Sequence, residues 1–352
     1  MATMKDVATL AGVSLATVSH VINGSRPVSQ ELTERVESAM RTLSYRPNRI
    51  ARSLRTKRTH TIGLVVSDIT NPFFSNVVRG VEDAAAAAGF SVAISNTDED
   101  ETKEEACVQT MLKAQHDGVV FAATGSQSRA LVALQDAKIP FVLIDRKVSA
   151  VNSDVVLSNN ESAAFRATTY LLELGHRTVG VILGNVGVTS SDERFAGFES
   201  AFRAFGVSAP SADYVARGSY RIEGGREACR ELLSRTPHPT AIFIVNNRMT
   251  IGALQELMAS GLSCPEDISI VGFDDFEGLS LFKPPITTVA QQPYRLGREA
   301  MELLLKRVDG EGDGTTTERR LDCELIVRKS VRSLADGLNP EGFDALGALK
   351  EG

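Results

Sequence analysis

Between the β-rich runs of this 352-residue chain stand short groups of residues able to hold a small polar ligand. Asn71-Pro72-Phe73-Phe74 follows one such run, and Asn96 follows the next. Asp145-Arg146 closes a third, setting a carboxylate acceptor beside a guanidinium fork. Further on, Arg194, Tyr220, Asn246 and Asp274 stand at comparable strand ends or loops, and Gln291 comes after them. Each hydroxyl of a sugar ring both donates and accepts, so a sugar calls for this mixture of carboxylate, amide and guanidinium groups with aromatic faces. The two Phe rings are expected to flank a flat ligand. Arg248, beside the Asn246-Asn247 pair, adds positive charge and would favour a phosphorylated or acidic sugar. A cyclitol, a purine or a nucleoside carrying ribose stays open as the alternative.

Catalytic chemistry finds little footing. No GxGxxG follows a strand, and Gly310-Glu-Gly-Asp-Gly314 lacks the lysine of a phosphate loop. Neither HExxH nor GxSxG is present. His116, His176 and His238 are scattered, and Asp274-Asp275 are adjacent strand-end residues that point apart. Cys107, Cys229, Cys264 and Cys323 form no CxxC pair, so buried, inert thiols in a reducing cytoplasm are expected. The expectation is a binding protein without enzyme activity, cofactor or metal.

The elements that must position these residues follow from the apolar runs. Ile62–Val66, Phe90–Ile94, Gly118–Ala122 and Phe141–Ile144 read as buried strands, with a helix over Phe74–Ala88. A second series holds Val179–Leu183, Ala241–Val245 and Ile268–Val271. Alternating strands and helices predict parallel sheets covered on both faces, an α/β architecture whose ligands sit outside the carboxyl ends of the strands. Two such series predict two lobes. A composition of 43% hydrophobic and 23% charged residues is that of a globular chain. No apolar run reaches the roughly 18 residues of a membrane helix, and the N-terminus has no apolar export segment, so a cytoplasmic location is expected. Ala84–Ala88 ends its helix in small side chains, which plain helix propensity or a close-packed face would each explain.

Charge is distributed unevenly. Residues 1–58 carry a net +6 within a chain of net −6, which suggests a polyanion-binding arm on an acidic body. Thr3 with Asp6 forms a capping-box pattern before Val7, Leu10 and Ala11, and Gly12 permits a sharp turn. Ser14 can cap a second helix carrying Val18, Val21 and Ile22. Ser29 can cap a third, with Leu32, Val36, Ala39, Met40 and Leu43 at helical spacing. Three helices sharing one seam make a helix-turn-helix unit, whose second helix enters the major groove. Leu15, Ala16, Thr17 and His20 would face base edges, and Arg26 would reach a phosphate or guanine. Asn48 can cap a short helix with Ile50, Ala51 and Leu54 on one side and Arg49, Arg52 and Arg55 around it. About nine residues are too few to hold a helix alone in water, so DNA and a second copy must order it.

The run from Met4 to Asn23, with Tyr45-Arg46-Pro47-Asn48 and Ala51-Arg52-Ser53-Leu54, resembles the N-terminal signature of the LacI/GalR repressor family. The similarity continues to about Arg332. It implies a three-helix head over residues 1–46 and a hinge helix and linker over 47–60. A two-lobed body like that of periplasmic sugar-binding proteins would cover 61–332, crossing between lobes near residues 160, 290 and 321. The tail over 333–352, rich in Gly and polar residues, is expected from its composition to be mobile. DNA contact is implied for Thr3, Ser14, Leu15, Ala16, Thr17, His20, Asn23 and Arg26 in the head. In the hinge it is implied for Asn48, Ala51, Arg52, Leu54 and Arg55, with Leu54 as the wedge that opens a base step in the minor groove. The body set is similar, position by position, to that of ribose-binding proteins and ribose-type regulators. Asn71, Phe73, Phe74, Asp145, Arg146, Arg194, Asn246, Asp274 and Gln291 match, while Asn96 and Tyr220, standing for a Phe, match more loosely. Asn247 and Asn159 depart from the pattern, which has Asp there. The resemblance implies a repressor that binds a pseudo-palindromic operator as a homodimer and responds to a small sugar, a ribose-like pentose first. A sugar-binding protein with no regulatory role would need the body alone.

Overall fold

The computed structural model describes residues 2–23, 26–45, 58–125, 127–311, 314–335 and 340. The expected hinge residues Asn48, Ala51, Arg52, Leu54 and Arg55 lie outside them, as does most of the tail. Two compact units are present, Met1–Thr59 and His60–Gly352.

In the first unit, α1 (Met4–Ala11), α2 (Leu15–Asn23) and α3 (Gln30–Thr42) enclose a small core of Val7, Ala8, Ala11, Val18, Val36 and Ala39. Thr3 and Asp6 cap each other's backbone at the start of α1. Gly12 then turns the chain with φ 61°, in the left-handed region that glycine adopts without strain. Arg35 of α3 donates to Ala11 O at 2.6 Å and Gly12 O at 3.3 Å, satisfying carbonyls that the end of α1 leaves over. Two expectations are corrected. Leu10 is 53% exposed, because the seam runs through Val7, Ala8 and Ala11 and leaves its position on the outer face. Ser29 stands at the cap of α3, yet its side chain makes no capping bond.

The second unit alternates strand and helix. Its first part runs β1 (Thr61–Val66), α4 (Pro72–Ala87), β2 (Ser91–Asn96), α5 (Glu101–Lys113), β3 (Gly118–Phe121), α6 (Arg129–Asp136), β4 (Phe141–Ile144) and β5 (Asp154–Ser158). The next part runs α7 (Asn160–Glu173), β6 (Val179–Leu183), α8 (Thr189–Ala204), β7 (Val215–Arg217), α9 (Ile222–Leu233), β8 (Ala241–Ile244), α10 (Asn247–Ala259), β9 (Ser269–Phe273) and β10 (Thr287–Ala290). The chain finishes with α11 (Pro293–Val308), β11 (Glu318–Leu321) and β12 (Glu324–Ile326).

Two six-stranded sheets result, ordered β11-β5-β4-β3-β1-β2 and β12-β10-β9-β8-β6-β7. All neighbours pair in parallel except β10 with β12. The chain passes between sheets three times: from Ser158 into α7, from Ala290 into α11, and from Leu321 to Glu324. Central strands such as β3 and β8, and β1 after Thr61, are apolar throughout because helices cover both their faces. Helix α11 returns to the first lobe and packs on α4 so closely that a Cβ on Gly80 would lie 2.0 Å from Tyr294 O. The reciprocal contact sets Gly297 against Val77 O.

The strand ends decide where function can sit. In both sheets the carboxyl ends of the strands carry the loops that begin at Ser67, Thr97, Asp145, Gly184, Val245 and Asp274, and they open on one cleft. Elsewhere the cysteines are free, and burial pushes Cys229 and Cys264 up to about 12 and Cys323 to about 11. Only Cys229 and Cys323 are fully buried; Cys107 and Cys264 are half-buried, contrary to expectation. Residues 333–335 are not loose either, since Leu334 and Ala335 donate to Leu174 O at 2.7 and 3.2 Å.

Candidate functional site

The cleft between the two sheets encloses about 450 Å³, room for a small ligand. Asn71, Phe73, Phe74, Asp145 and Arg146 line it from the first lobe, and Arg194, Tyr220, Asn246 and Asp274 from the second. Gln291, at the second passage between lobes, completes the set.

Local structure explains how each side chain arrives. Asn71 caps α4, its Oδ1 accepting from Phe73 N–H at 3.0 Å, and Pro72 occupies the first helical turn, where its missing N–H costs nothing. Asn246 caps α10 in the same way through Met249 N–H at 3.0 Å. Asp145, Tyr220 and Asp274 have φ of 64°, 58° and 72°, left-handed backbone that L-residues avoid. Asp98 and Glu99 share this conformation, so five of the nine such non-glycine residues among the described residues line the cleft. Strain concentrated at strand ends is the mark of side chains held in position for a task.

The electrostatics are those of a polar pocket with buried charged groups. Burial raises the carboxyl groups of Asp145 and Asp274 above their ordinary range, against the pull of neighbouring arginines. Gln291 joins the walls, donating to Asp274 and accepting from Ser158 Oγ. Arg194 donates to Asn160 Oδ1 at 2.9 Å and Val245 O at 2.6 Å, and its guanidinium stacks 3.7 Å from the Phe273 ring centre. The Tyr220 ring lies 5.2 Å from the Arg146 guanidinium, and burial pushes its hydroxyl up to about 12.

Several expectations need correction. Asn96 does not line the cleft; its amide accepts from Ile69 N–H at 2.8 Å and donates to Asp98 at 2.6 Å, so it braces two loops behind the wall. Phe73 and Phe74 pack edge to face, 5.1 Å between centres at 83°, and so do not clamp a ligand between them. Arg248 brings no loose charge, because it reaches across to Asp68 at 3.6 Å and Thr70 Oγ1 at 3.1 Å. Arg146 is no open fork, since the Glu99 carboxylate fills it. Asn247 and Asn159 both make side-chain hydrogen bonds, to Asn71 and Asp322.

Sequence reasoning passed over Glu99, Asp98, Asp68, Thr70 and Lys103 on the first lobe and Ser190, Ser219, Arg221 and Glu223 on the second. The Asp98-Glu99-Asp100 run directly after β2 was the available signal, because acids at a strand end in this fold face the ligand side.

In the helical head, α2 shows Leu15, 52% exposed, and Ala16 on its outer face, with Thr17 and His20 half-buried beside them. Ser14 accepts from Thr17 N–H at 3.0 Å and caps the helix, Thr3 is engaged in the cap of α1, and Arg26 is exposed. Asn23 closes α2. Among the described residues no helix is long and apolar enough to cross a membrane, and no cluster of His, Cys, Asp and Glu is placed to hold a metal ion.

Known proteins extend these observations. Residues 3–48 match the bacterial regulatory proteins of the lacI family, and residues 168–331 match a periplasmic binding protein-like domain. The ribose operon repressor of Escherichia coli (strain K12) is 38% identical over 93% of this chain and 98% of its own length. The HTH-type transcriptional repressor PurR of Haemophilus influenzae (strain PittEE) is 36% identical over 95% of this chain and 100% of its own. In structure, the lac repressor dimer bound to operator and the anti-inducer ONPF superposes with a TM-score of 0.82 at 27% identity, covering 94% of this chain and 99% of that one. Helical head, paired sheets and near full-length similarity agree: this chain belongs to the lacI family of bacterial regulatory proteins.

Proposed function

We propose that this chain is a cytoplasmic transcriptional repressor that binds a pseudo-palindromic operator as a homodimer and is controlled by a small sugar, a ribose-like pentose first, in the cleft of its body. The observation that carries the sugar reading is the convergence of ten of the eleven expected ligand residues on one 450 Å³ cavity. Residues 1–46 would form the DNA-binding head, 47–60 the hinge, and 61–332 the effector and dimer body. Leu15, Ala16 and His20 would read base edges, while Lys and Arg side chains supply affinity for phosphates. A two-fold site matches two heads.

Control needs only a difference in affinity. A sugar bridging both walls holds the lobes in one mutual orientation; if that orientation differs from the one in which two hinges pair, DNA binding weakens. A hundredfold preference for one state corresponds to about 2.7 kcal/mol of coupling. No catalytic step is called for.

The test starts from a pool of random duplexes passed over the full-length protein. Enrichment of a two-fold symmetric sequence, followed by a shift of its binding midpoint on adding D-ribose, is the expected result. A pool that stays random would end the operator reading. A midpoint unmoved by ribose and by every other sugar tried would end the effector reading alone.

A further inference from the structure

Arg146 presents a guanidinium fork in the wall of the cleft, and that fork is occupied by the protein itself. Its Nη1 donates to Glu99 Oε2 at 2.7 Å and its Nη2 to Oε1 at 2.6 Å, the parallel two-bond arrangement of a guanidinium on a carboxylate. Nη1 also donates to Ala123 O at 2.8 Å, and Nε faces Asp145 Oδ2 at 3.3 Å. The two side chains are only 5% and 9% exposed, so opening the pair would strand a charge away from water.

Glu99 is held there by its backbone. Asp98 and Glu99 are successive left-handed residues, φ 53° and 58°, and the next residue, Asp100, starts α5 by accepting from Thr102 and Lys103 N–H. Such strain persists only where the surrounding structure holds it. Of the other cleft cations, Lys103 pairs with Asp98 and Arg248 with Asp68, while Arg194 donates to Asn160 Oδ1 and Val245 O and Arg221 to the Asp98 carbonyl, which are neutral acceptors.

We propose that Glu99 sets the charge selectivity of the cleft: by neutralising Arg146 it admits an uncharged sugar and turns away the same sugar carrying a phosphate or carboxylate. This inference rests on the reading of the cleft as a sugar site. A phosphate seeking Arg146 must expel Glu99 or lie against Glu99 and Asp145, like charges on largely buried side chains. A hydroxyl meets no such obstacle, because both carboxylates keep lone pairs able to accept from it. Selectivity of this kind comes from repelling the wrong ligand.

Calorimetric titration of the full-length protein at fixed ionic strength tests it, with D-ribose, D-ribose 5-phosphate, D-glucose and D-glucose 6-phosphate as probes. For the native chain, the neutral form of whichever sugar binds should be preferred by roughly a hundredfold over its phosphate. Glu99→Gln keeps the shape and removes the charge, so it should narrow that ratio by about tenfold or more, chiefly through tighter phosphate binding. Glu99→Asp, still charged, should keep the preference. A native chain that binds the phosphate as tightly as the neutral sugar, or a Gln variant with an unchanged ratio, overturns the role of Glu99 and leaves the sugar cleft standing. Silence of the native chain toward all four probes overturns both. Should the Gln variant fail to fold, the ratio for the native chain still decides.

Discussion

Asn247 at the start of α10 donates its side-chain amide to Asn71 Oδ1 at the start of α4, 2.9 Å away, so the cap of a first-lobe helix also accepts a hydrogen bond from the second lobe. Both residues are buried, and the same Asn71 oxygen holds Phe73 N–H. The backbone N–H of Asn247 also serves the buried Asp274 carboxylate. Asn247→Asp would remove the donor and set a second carboxylate near Asp274. It should cost about 1–3 kcal/mol of stability, more than Asn247→Ala does. Urea unfolding of the three proteins measures this, and an Asp variant as stable as the parent would contradict it.

Gly184 and Tyr220 depend on one another. A Cβ on Gly184 would sit 2.0 Å from Tyr220 Cζ and 2.2 Å from its hydroxyl oxygen, so Gly184→Ala must displace a ring that lines the cleft. The expected cost is about 1–3 kcal/mol of stability, together with weaker sugar binding. Tyr220→Ala in the same chain should recover part of the loss, because the clash disappears with the ring. Additive effects in the double variant would refute the contact.

His176 gives a prediction about acid. The ring is fully buried, with Nδ1 2.9 Å from Thr240 Oγ1 and Nε2 3.0 Å from Arg332 O, and burial lowers its pKa from 6.5 to about 4. The unfolded chain therefore takes up a proton below pH 6.5 that the folded chain refuses until pH 4. Stability from the neutral ring is present above pH 6.5 and is lost as pH falls toward 4, by up to about 3 kcal/mol. His176→Gln cannot titrate, so its unfolding free energy should fall less than that of the parent between pH 7 and pH 4.5. Equal slopes would rule out His176 as the source.

In the head, Leu15 of α2 is exposed and His20 of the same helix is half-buried. Leu15→Ala and His20→Ala should each cost about 1–3 kcal/mol on the preferred duplex and relax the choice of base at one position. Arg26→Ala should weaken binding to all sequences alike and reduce the salt slope by about one. Fluorescence anisotropy against matched and mismatched duplexes at several salt concentrations separates the two behaviours. A uniform loss for Leu15→Ala would show that it reads no base.

The sequence by itself determined the periodic and local features. Apolar runs such as Ile62–Val66 and Val179–Leu183 become central strands because a strand buried on both faces needs no polar residue. Caps such as Thr3, Ser14 and Asn71 are legible because a side-chain oxygen two or three residues before an unpaired N–H is a local relationship. The α/β class, the head and most of the cleft followed. The short strands did not: the edge strands β7, β11 and β12 carry charged residues and form only because a neighbour supplies the hydrogen bonds, and β5 and β10, inside their sheets, mix polar with apolar residues over only five and four positions. Tertiary structure alone decided which charges meet. Arg146 lies 47 positions from Glu99, and Arg248 lies 178 from Thr70. No periodicity records such pairs, because they arise where strands distant in sequence end side by side. The same physics neutralised Arg248, which read as added positive charge, and filled the Arg146 fork, which read as a donor to sugar: a charge settles on whatever opposite charge the fold brings within reach.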